Sequence, residues 1–235
     1  DFRNRKIDVF DRTFTKVTVA GGFTDPTLPV GFAPYNIQTL TLAGTTVVVT
    51  GASRGIGRAI ALRLATTGAE IALWARDRVA LDGVAAEIAA AKGKAVPFEC
   101  DVSDPAAVER VASLVRTAMP PVRTIVNNAG AVIRKATAEL DDADWRRVMA
   151  VNLDGTFHVT RAFLPQLTRS GGRIINIASR AGREGTPMLA SYCAAKHAVV
   201  GFARSLAGEL RTAKVSVNAV CPGSVDTAML REGIP

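Results

Sequence analysis

Little in this chain marks a metal centre, a secreted scaffold or a membrane anchor. Its 235 residues include two histidines and three cysteines. His158 and His197 lie far apart with no carboxylate cluster beside them, so no metal site is expected and both read as ordinary helix residues. Cys100, Cys193 and Cys221 are scattered and odd in number. They show neither zinc spacing nor a disulfide framework, and a reducing compartment, the cytoplasm, is expected. No apolar run reaches the ~18 residues that a membrane helix needs, so no membrane partner is expected. The chain begins at Asp1 without a signal-peptide pattern, and its start reads as processed, truncated or excised. Net charge is +8, but the basic residues are dispersed and form no Lys/Arg-rich run. A solvated basic surface is expected, with no nucleic-acid partner. A dinucleotide phosphate could use part of the surplus locally.

Aromatic residues are also few, and they are unevenly placed. Phe2, Phe10, Phe14, Phe23, Phe32 and Tyr35 all fall within residues 1–43, a stretch poor in the alanine that fills the rest. Ile7, Val9, Phe14, Val17 and Val19 form two short alternating runs broken near Asp11-Arg12, which predicts a β-hairpin. Gly21-Gly22, Pro26, Pro29, Gly31 and Pro34 predict an extended loop after it. A hairpin and a loop are too small to be stable alone. Residues 1–43 are therefore read as an extension, foreign or disordered, and 44–235 as the main domain.

What is abundant is alternation. Strands are predicted at 46–50, 71–75, 95–100, 124–127, 173–178 and 215–220. Helices are predicted at 58–67, from Asp77 onward with Leu81, Val84 and Ile88 as its apolar stripe, from Pro105 onward, at 142–167 with a bend near Gly155, and at 191–211. Apolar strands alternating with helices imply a parallel sheet covered on both faces, an α/β doubly wound fold. Ligands of such sheets bind at the carboxyl ends of the strands.

Two motifs carry chemistry. Thr50-Gly51-Ala52-Ser53-Arg54-Gly55-Ile56-Gly57 joins the first strand to the first helix. Its glycines let the backbone turn tightly and approach a pyrophosphate, and the helix N-terminus supplies unpaired amides. Tyr192 and Lys196 lie four apart on a predicted helix, hence on one face. An ammonium beside a phenol favours the phenolate, which predicts a lowered Tyr192 pKa and acid/base work. Alone that spacing arises often by chance; Ser179 upstream at a strand end and the glycine turn give it company.

Taken in order, the glycine turn, Asp101, Asn127-Asn128-Ala129-Gly130, Asn152, Ser179, Tyr192, Lys196 and Pro222-Gly223 resemble the short-chain dehydrogenase/reductase family of compact single-domain type, over about residues 42–229. The resemblance implies a Rossmann-like sheet in strand order 3-2-1-4-5-6. It implies an oxidoreductase interconverting a carbonyl and a secondary alcohol, similar to 3-oxoacyl thioester reductases. Tyr192 would be the proton donor or acceptor. Lys196 would lower its pKa and bind the nicotinamide ribose, Ser179 would hold the substrate oxygen, and Asn152 would hold a water linking Lys196 to solvent. Gly51, Ser53, Arg54, Gly55, Ile56, Gly57, Arg76, Asp101, Val102, Asn128, Ala129, Gly130, Pro222, Gly223 and Thr227 would contact the cofactor, together with Tyr192 and Lys196. Asp101 would accept from the adenine amine, and Asn128 would also brace the sheet. Helices 142–167 and 191–211 would pair across a homodimer or homotetramer interface. Residues 6–38 resemble part of a bacterial β-propeller blade.

Cofactor choice is read at the end of the second strand. An acid there would select NAD; this chain has Ala75 followed by Arg76, with Arg54 in the glycine loop. Guanidinium geometry suits a 2′-phosphate, so NADP(H) is expected. Asp77 would point away as a helix cap. The family continues beyond Thr227 through a substrate-covering segment, a last helix and an edge strand, whereas this sequence ends at Pro235. That raises an alternative from another class, a non-catalytic dinucleotide-binding module lacking its lid and last strand.

Overall fold

The structure is a computed structural model that describes residues 42–231 together with Val9–Phe10 and Lys16–Val17. The chain divides into two units, Asp1–Leu40 and Thr41–Pro235. In the first, Val9–Phe10 pairs antiparallel with Lys16–Val17. The loop with Gly21 to Pro34, and the blade-like run apart from those two strands, lie outside the described residues.

The second unit is built on six strands: β1 (Thr46–Thr50), β2 (Glu70–Ala75), β3 (Lys94–Glu99), β4 (Val122–Asn127), β5 (Gly172–Ile177) and β6 (Val215–Val220). They form one sheet in the order β3-β2-β1-β4-β5-β6, and every pairing is parallel. The expected α/β doubly wound order is thus observed. Order reverses beside β1, so the crevice at the carboxyl ends of β1 and β4 is where a ligand site belongs.

Between strands run α1 (Gly55–Ala65), α2 (Arg78–Ala90), α3 (Pro105–Ala118), α4 (Asp142–Met149), α5 (Gly155–Ser170) and α6 (Ala190–Glu209); α7 (Ala228–Arg231) follows β6. The all-apolar, β-branched centre of β1 is buried on both faces, as a central parallel strand requires. On one face Val47, Val49, Ile71 and Leu73 pack against Ala61 of α1 and Leu81, Val84 and Ile88 of α2. On the other, Val48 and Trp74 pack against Val108, Val111 and Val115 of α3 and Phe163 of α5. The Trp74 and Phe163 rings lie 5.9 Å apart, both fully buried.

Several boundaries differ from expectation for local reasons. Helix α1 starts at Gly55 rather than Arg58, inside the glycine turn. The bend expected near Gly155 is a π turn, Ala150–Asp154, between α4 and α5. Its cause is Asn152: the Asn152 Nδ2 group donates to Val148 O at 2.8 Å and competes with the backbone ladder. Gly155 serves another need, since a Cβ there would stand 2.6 Å from Val102 Cγ2. Asp77 caps α2, accepting from Ala80 N at 3.0 Å. Asp104 caps α3, accepting from Ala106 N at 2.8 Å.

Candidate active site

The glycine turn leaves β1 through Gly51 (φ 63°) and enters α1 through Gly55 (φ 56°), both in the left-handed region that disfavours side chains. A Cβ on Gly51 would stand 2.9 Å from Ala129 Cα, so the turn touches the strand-end loop after β4. Arg54 precedes α1 without a side-chain cap, and the first turn holds no acid. Its amides are left for an anion.

Asn128 ties the two loops together, its Nδ2 donating to Thr50 O (3.0 Å) and Gly51 O (3.2 Å). The Thr50 hydroxyl accepts from the amides of Asn128 (2.9 Å) and Ala129 (3.0 Å). Thr50 is thus a site residue that sequence reading passed over as a strand end. Its signal was position alone, directly before the glycine turn.

These loops line one cleft of about 460 Å³. Of the expected residues, it brings together Gly51, Ser53, Arg54, Gly55, Ile56, Arg76, Asp101, Val102, Asn128, Ala129, Gly130, Tyr192, Lys196 and Thr227. Gly57, Asn152, Ser179, Pro222 and Gly223 are not on its wall. Gly57 sits behind the turn against Gly51 O. The Pro222 carbonyl accepts from Arg180 N at 2.8 Å, which fastens the segment leading to Thr227. Arg147 of α4 also lines the cleft and was not anticipated; its signal was its place on the helical run that leads to Asn152.

At one rim, Arg76 faces Asp101 across 3.9 Å. Asp101 Oδ1 accepts from Ser103 N (2.9 Å) and Ser103 Oγ (2.6 Å). Partial burial opposes its ionisation, but the Ser103 bonds and Arg76 prevail and hold the carboxyl below the usual range. Neighbouring Cys100 is pushed up to about 12, by burial first and then by Asp101 and Asp104, so its thiol is neutral and no nucleophile.

At the other end, α6 places Tyr192 and Lys196 one turn apart, with Lys196 Nζ 5.6 Å from the Tyr192 ring centre. Lys196 Nζ donates to Ile177 O at 2.8 Å. Burial lowers the Lys196 pKa to about 8. Tyr192 departs from the expectation of a lowered pKa. Burial raises it, and the Ser179 hydroxyl, which pulls it down, does not overcome that. The physical reason is that the ammonium lies over the ring and bonds a carbonyl, and is itself desolvated. Ser179 Oγ also accepts from Ala181 N at 3.1 Å, capping a short turn, Arg180–Gly182.

Asn152 is fully buried. Its Nδ2 donates to Ala131 O (2.7 Å) as well as Val148 O, and its Oδ1 has no partner among the described residues. His158 Nδ1 contacts Val102 O at 3.2 Å and His197 Nδ1 contacts Cys193 O at 2.9 Å, each a contact to a backbone carbonyl.

A family model described as short chain dehydrogenase matches residues 45–234. The chain belongs to this family. Among curated relatives, a 3-oxoacyl-[acyl-carrier-protein] reductase of Synechocystis is 40% identical over 190 residues, covering 80% of this chain and 77% of the relative. A meso-2,3-butanediol dehydrogenase of Serratia marcescens is 39% identical over 185 residues, 78% of this chain and 72% of that one. A solved structure of an actinorhodin polyketide ketoreductase variant with NADPH superposes with a TM-score of 0.78 at 41% identity, covering 80% of this chain and 73% of that one. The short-chain dehydrogenase fold and the cleft described above therefore coincide in one unit.

Proposed function

We propose that this short-chain dehydrogenase is an NADP(H)-dependent oxidoreductase interconverting a carbonyl and a secondary alcohol. One observation carries the reading: Tyr192 and Lys196, on one helix, face the same cleft as the glycine turn.

The residues present fit a dinucleotide phosphate. The left-handed glycines and the uncapped, acid-free start of α1 make a pyrophosphate cradle. Ala75 ends β2 where an acid would repel a 2′-phosphate, while Arg54 and Arg76 line the same wall. Asp77 caps α2 through one oxygen but does not point away as expected: it lines the same wall, and its charge offsets part of theirs. Asp101 and Val102 would border the adenine, and Thr227 packs over Gly55. The bound cofactor supplies or accepts the hydride.

The chain's own residues move the proton. In the direction of reduction, the Tyr192 O–H bond breaks as its proton passes to the substrate oxygen. The raised pKa keeps that hydroxyl protonated near neutral pH, the form a donor requires. Ser179 hydrogen-bonds the substrate oxygen and Tyr192 together. Lys196, charged below about pH 8, stabilises the phenolate left behind. Asn152 connects Lys196 to solvent through a water. A 3-oxoacyl thioester is the first substrate to try, since one relative bears that name and another is a polyketide ketoreductase.

Self-association through α5 and α6 completes the reading. Phe157 on α5 is 41% exposed and meets Phe202 of α6 edge-on, an apolar patch suited to a second copy. The three free cysteines suit the reducing cytoplasm.

The test is NADPH oxidation over a carbonyl panel, run beside Tyr192→Phe. Turnover abolished by that change supports the mechanism. Turnover that survives it overturns the role of Tyr192, and a folded chain that binds NADPH but reduces nothing is a binding module instead.

A further inference from the structure

Arg147 is a cation on the cleft wall that no acid of its own helix neutralises. It stands on α4 one turn before Val151, and both line the cleft together with Ala131. The acids at the start of α4 are committed elsewhere. Asp142 accepts from Arg146 at 2.8 Å, Asp144 is paired with Lys135, and Asp141 caps the helix by accepting from Asp144 N at 2.7 Å. Among the described residues no hydrogen bond or ion pair holds the Arg147 guanidinium. By contrast, Arg76 faces Asp101 and Lys196 donates to Ile177 O.

Helix chemistry does not account for this residue. A cation in the last turn of a helix ordinarily complements unpaired carbonyls. Here the carbonyls of Arg146 and Arg147 both accept from Ala150 N, and the run continues through the π turn into α5. No bare helix end is left for Arg147 to serve.

Its place in the fold decides what it faces. Helix α1 packs on one face of the sheet and α5 on the other. Because α4 runs on into α5, its wall stands across the strand ends from the glycine turn and the uncapped first turn of α1. An anion lying on that cradle has backbone amides on one side and Arg147 on the other. Amides carry only partial charge, so a doubly charged pyrophosphate there still lacks a full countercharge. A guanidinium matches phosphate in charge and in geometry.

We propose that Arg147 is a binding residue for the cofactor's pyrophosphate, closing on it from the wall opposite the glycine turn. The proposal rests on the dinucleotide site given above and deepens it. Arg76 discriminates between the two cofactors at the 2′-phosphate, whereas Arg147 serves both alike.

The test is Arg147→Gln, which removes the charge and nearly keeps the length, with Arg147→Lys beside it. Calorimetric titrations use NADPH, NADH, ADP-ribose and 2′-AMP. ADP-ribose has the pyrophosphate but neither nicotinamide nor 2′-phosphate, and 2′-AMP has the 2′-phosphate without the pyrophosphate. In Arg147→Gln the Kd for the first three is expected to rise by roughly fivefold to fiftyfold. The Kd for 2′-AMP stays within about twofold of wild type, and Arg147→Lys falls between the two. The weakening of ADP-ribose by added salt becomes shallower than in wild type. An unchanged Kd for ADP-ribose overturns the proposal. Weakening confined to NADPH and 2′-AMP also overturns it, by moving Arg147 to the 2′-phosphate. Circular dichroism follows folding, and since Arg147 is exposed, a variant that unfolds shows a structural role and overturns the proposal as well. None of these titrations needs turnover. A wild-type chain that binds but reduces nothing therefore fails the oxidoreductase reading alone, and one that binds none of the four ligands overturns both.

Discussion

Gly57 packs directly against the carbonyl oxygen of Gly51: a Cβ on Gly57 would stand 2.2 Å from that oxygen and 2.4 Å from Asn128 Nδ2. The turn closes onto its own helix there. Gly57→Ala must push α1 away from the turn, and overpacking of this kind costs roughly 1–3 kcal/mol. A fall in Tm of about 3–10 °C is expected by calorimetry, with NADPH affinity reduced because the cradle opens. An unchanged Tm would show that the turn is looser than described.

Arg76 stands at the rim, far enough from Asp101 to turn to another anion. Arg76→Glu is expected to raise the Kd for NADPH by roughly tenfold to a hundredfold, the loss of a charge-assisted bond, while leaving NADH nearly unaffected. Parallel fluorescence titrations measure both. Equal weakening of the two cofactors would remove Arg76 from phosphate selection.

Tyr192→Phe deletes one oxygen from a half-buried ring. A loss in kcat of roughly 10²–10⁴-fold is expected, with the Kd for NADPH little changed. Steady-state rates and binding measured on the same sample separate the two effects.

Burial lowers the Lys196 pKa from 10.5 to about 8, so the folded cofactor-free chain holds a desolvated ammonium at neutral pH. Below about 8 both folded and unfolded chains carry the proton and the penalty is constant. Between about 8 and 10.5 the unfolded chain binds more protons than the folded one, so this residue's contribution to stability rises with pH. The Tm of Lys196→Met minus that of wild type should therefore shrink from pH 8 to 10.5. A difference that is flat across that window would show that Lys196 does not titrate there. In the same window kcat for carbonyl reduction is expected to decline as the ammonium is lost.

Much of this arrangement was legible from residue order. Apolar strands and striped helices in alternation dictate a covered parallel sheet, and a glycine turn between the first strand and helix dictates a phosphate cradle. Asp77 was readable as a cap because a short acid before a helix has an amide to bond. Less legible were features made by contacts across the chain. Thr50 looked like an ordinary strand end until Asn128 and Ala129, far along the chain, brought their amides to its hydroxyl. Arg147 was marked only by its place on the helical run that leads to Asn152, and Gly155 was read as the site of a bend when its reason is Val102.

The Tyr192–Lys196 pair divides along the same line. Spacing alone placed both side chains on one face of a helix, since helical geometry depends only on position along the chain. The pKa values did not follow from spacing. They depend on desolvation and on what each group bonds, and only the packing of α6 against Ile177 and Ser179 set these. Residue order determined which groups this protein brings to a dinucleotide cleft. Tertiary structure decided that the phenol stays protonated rather than standing as a phenolate, because desolvation and close packing act through space and not along the chain.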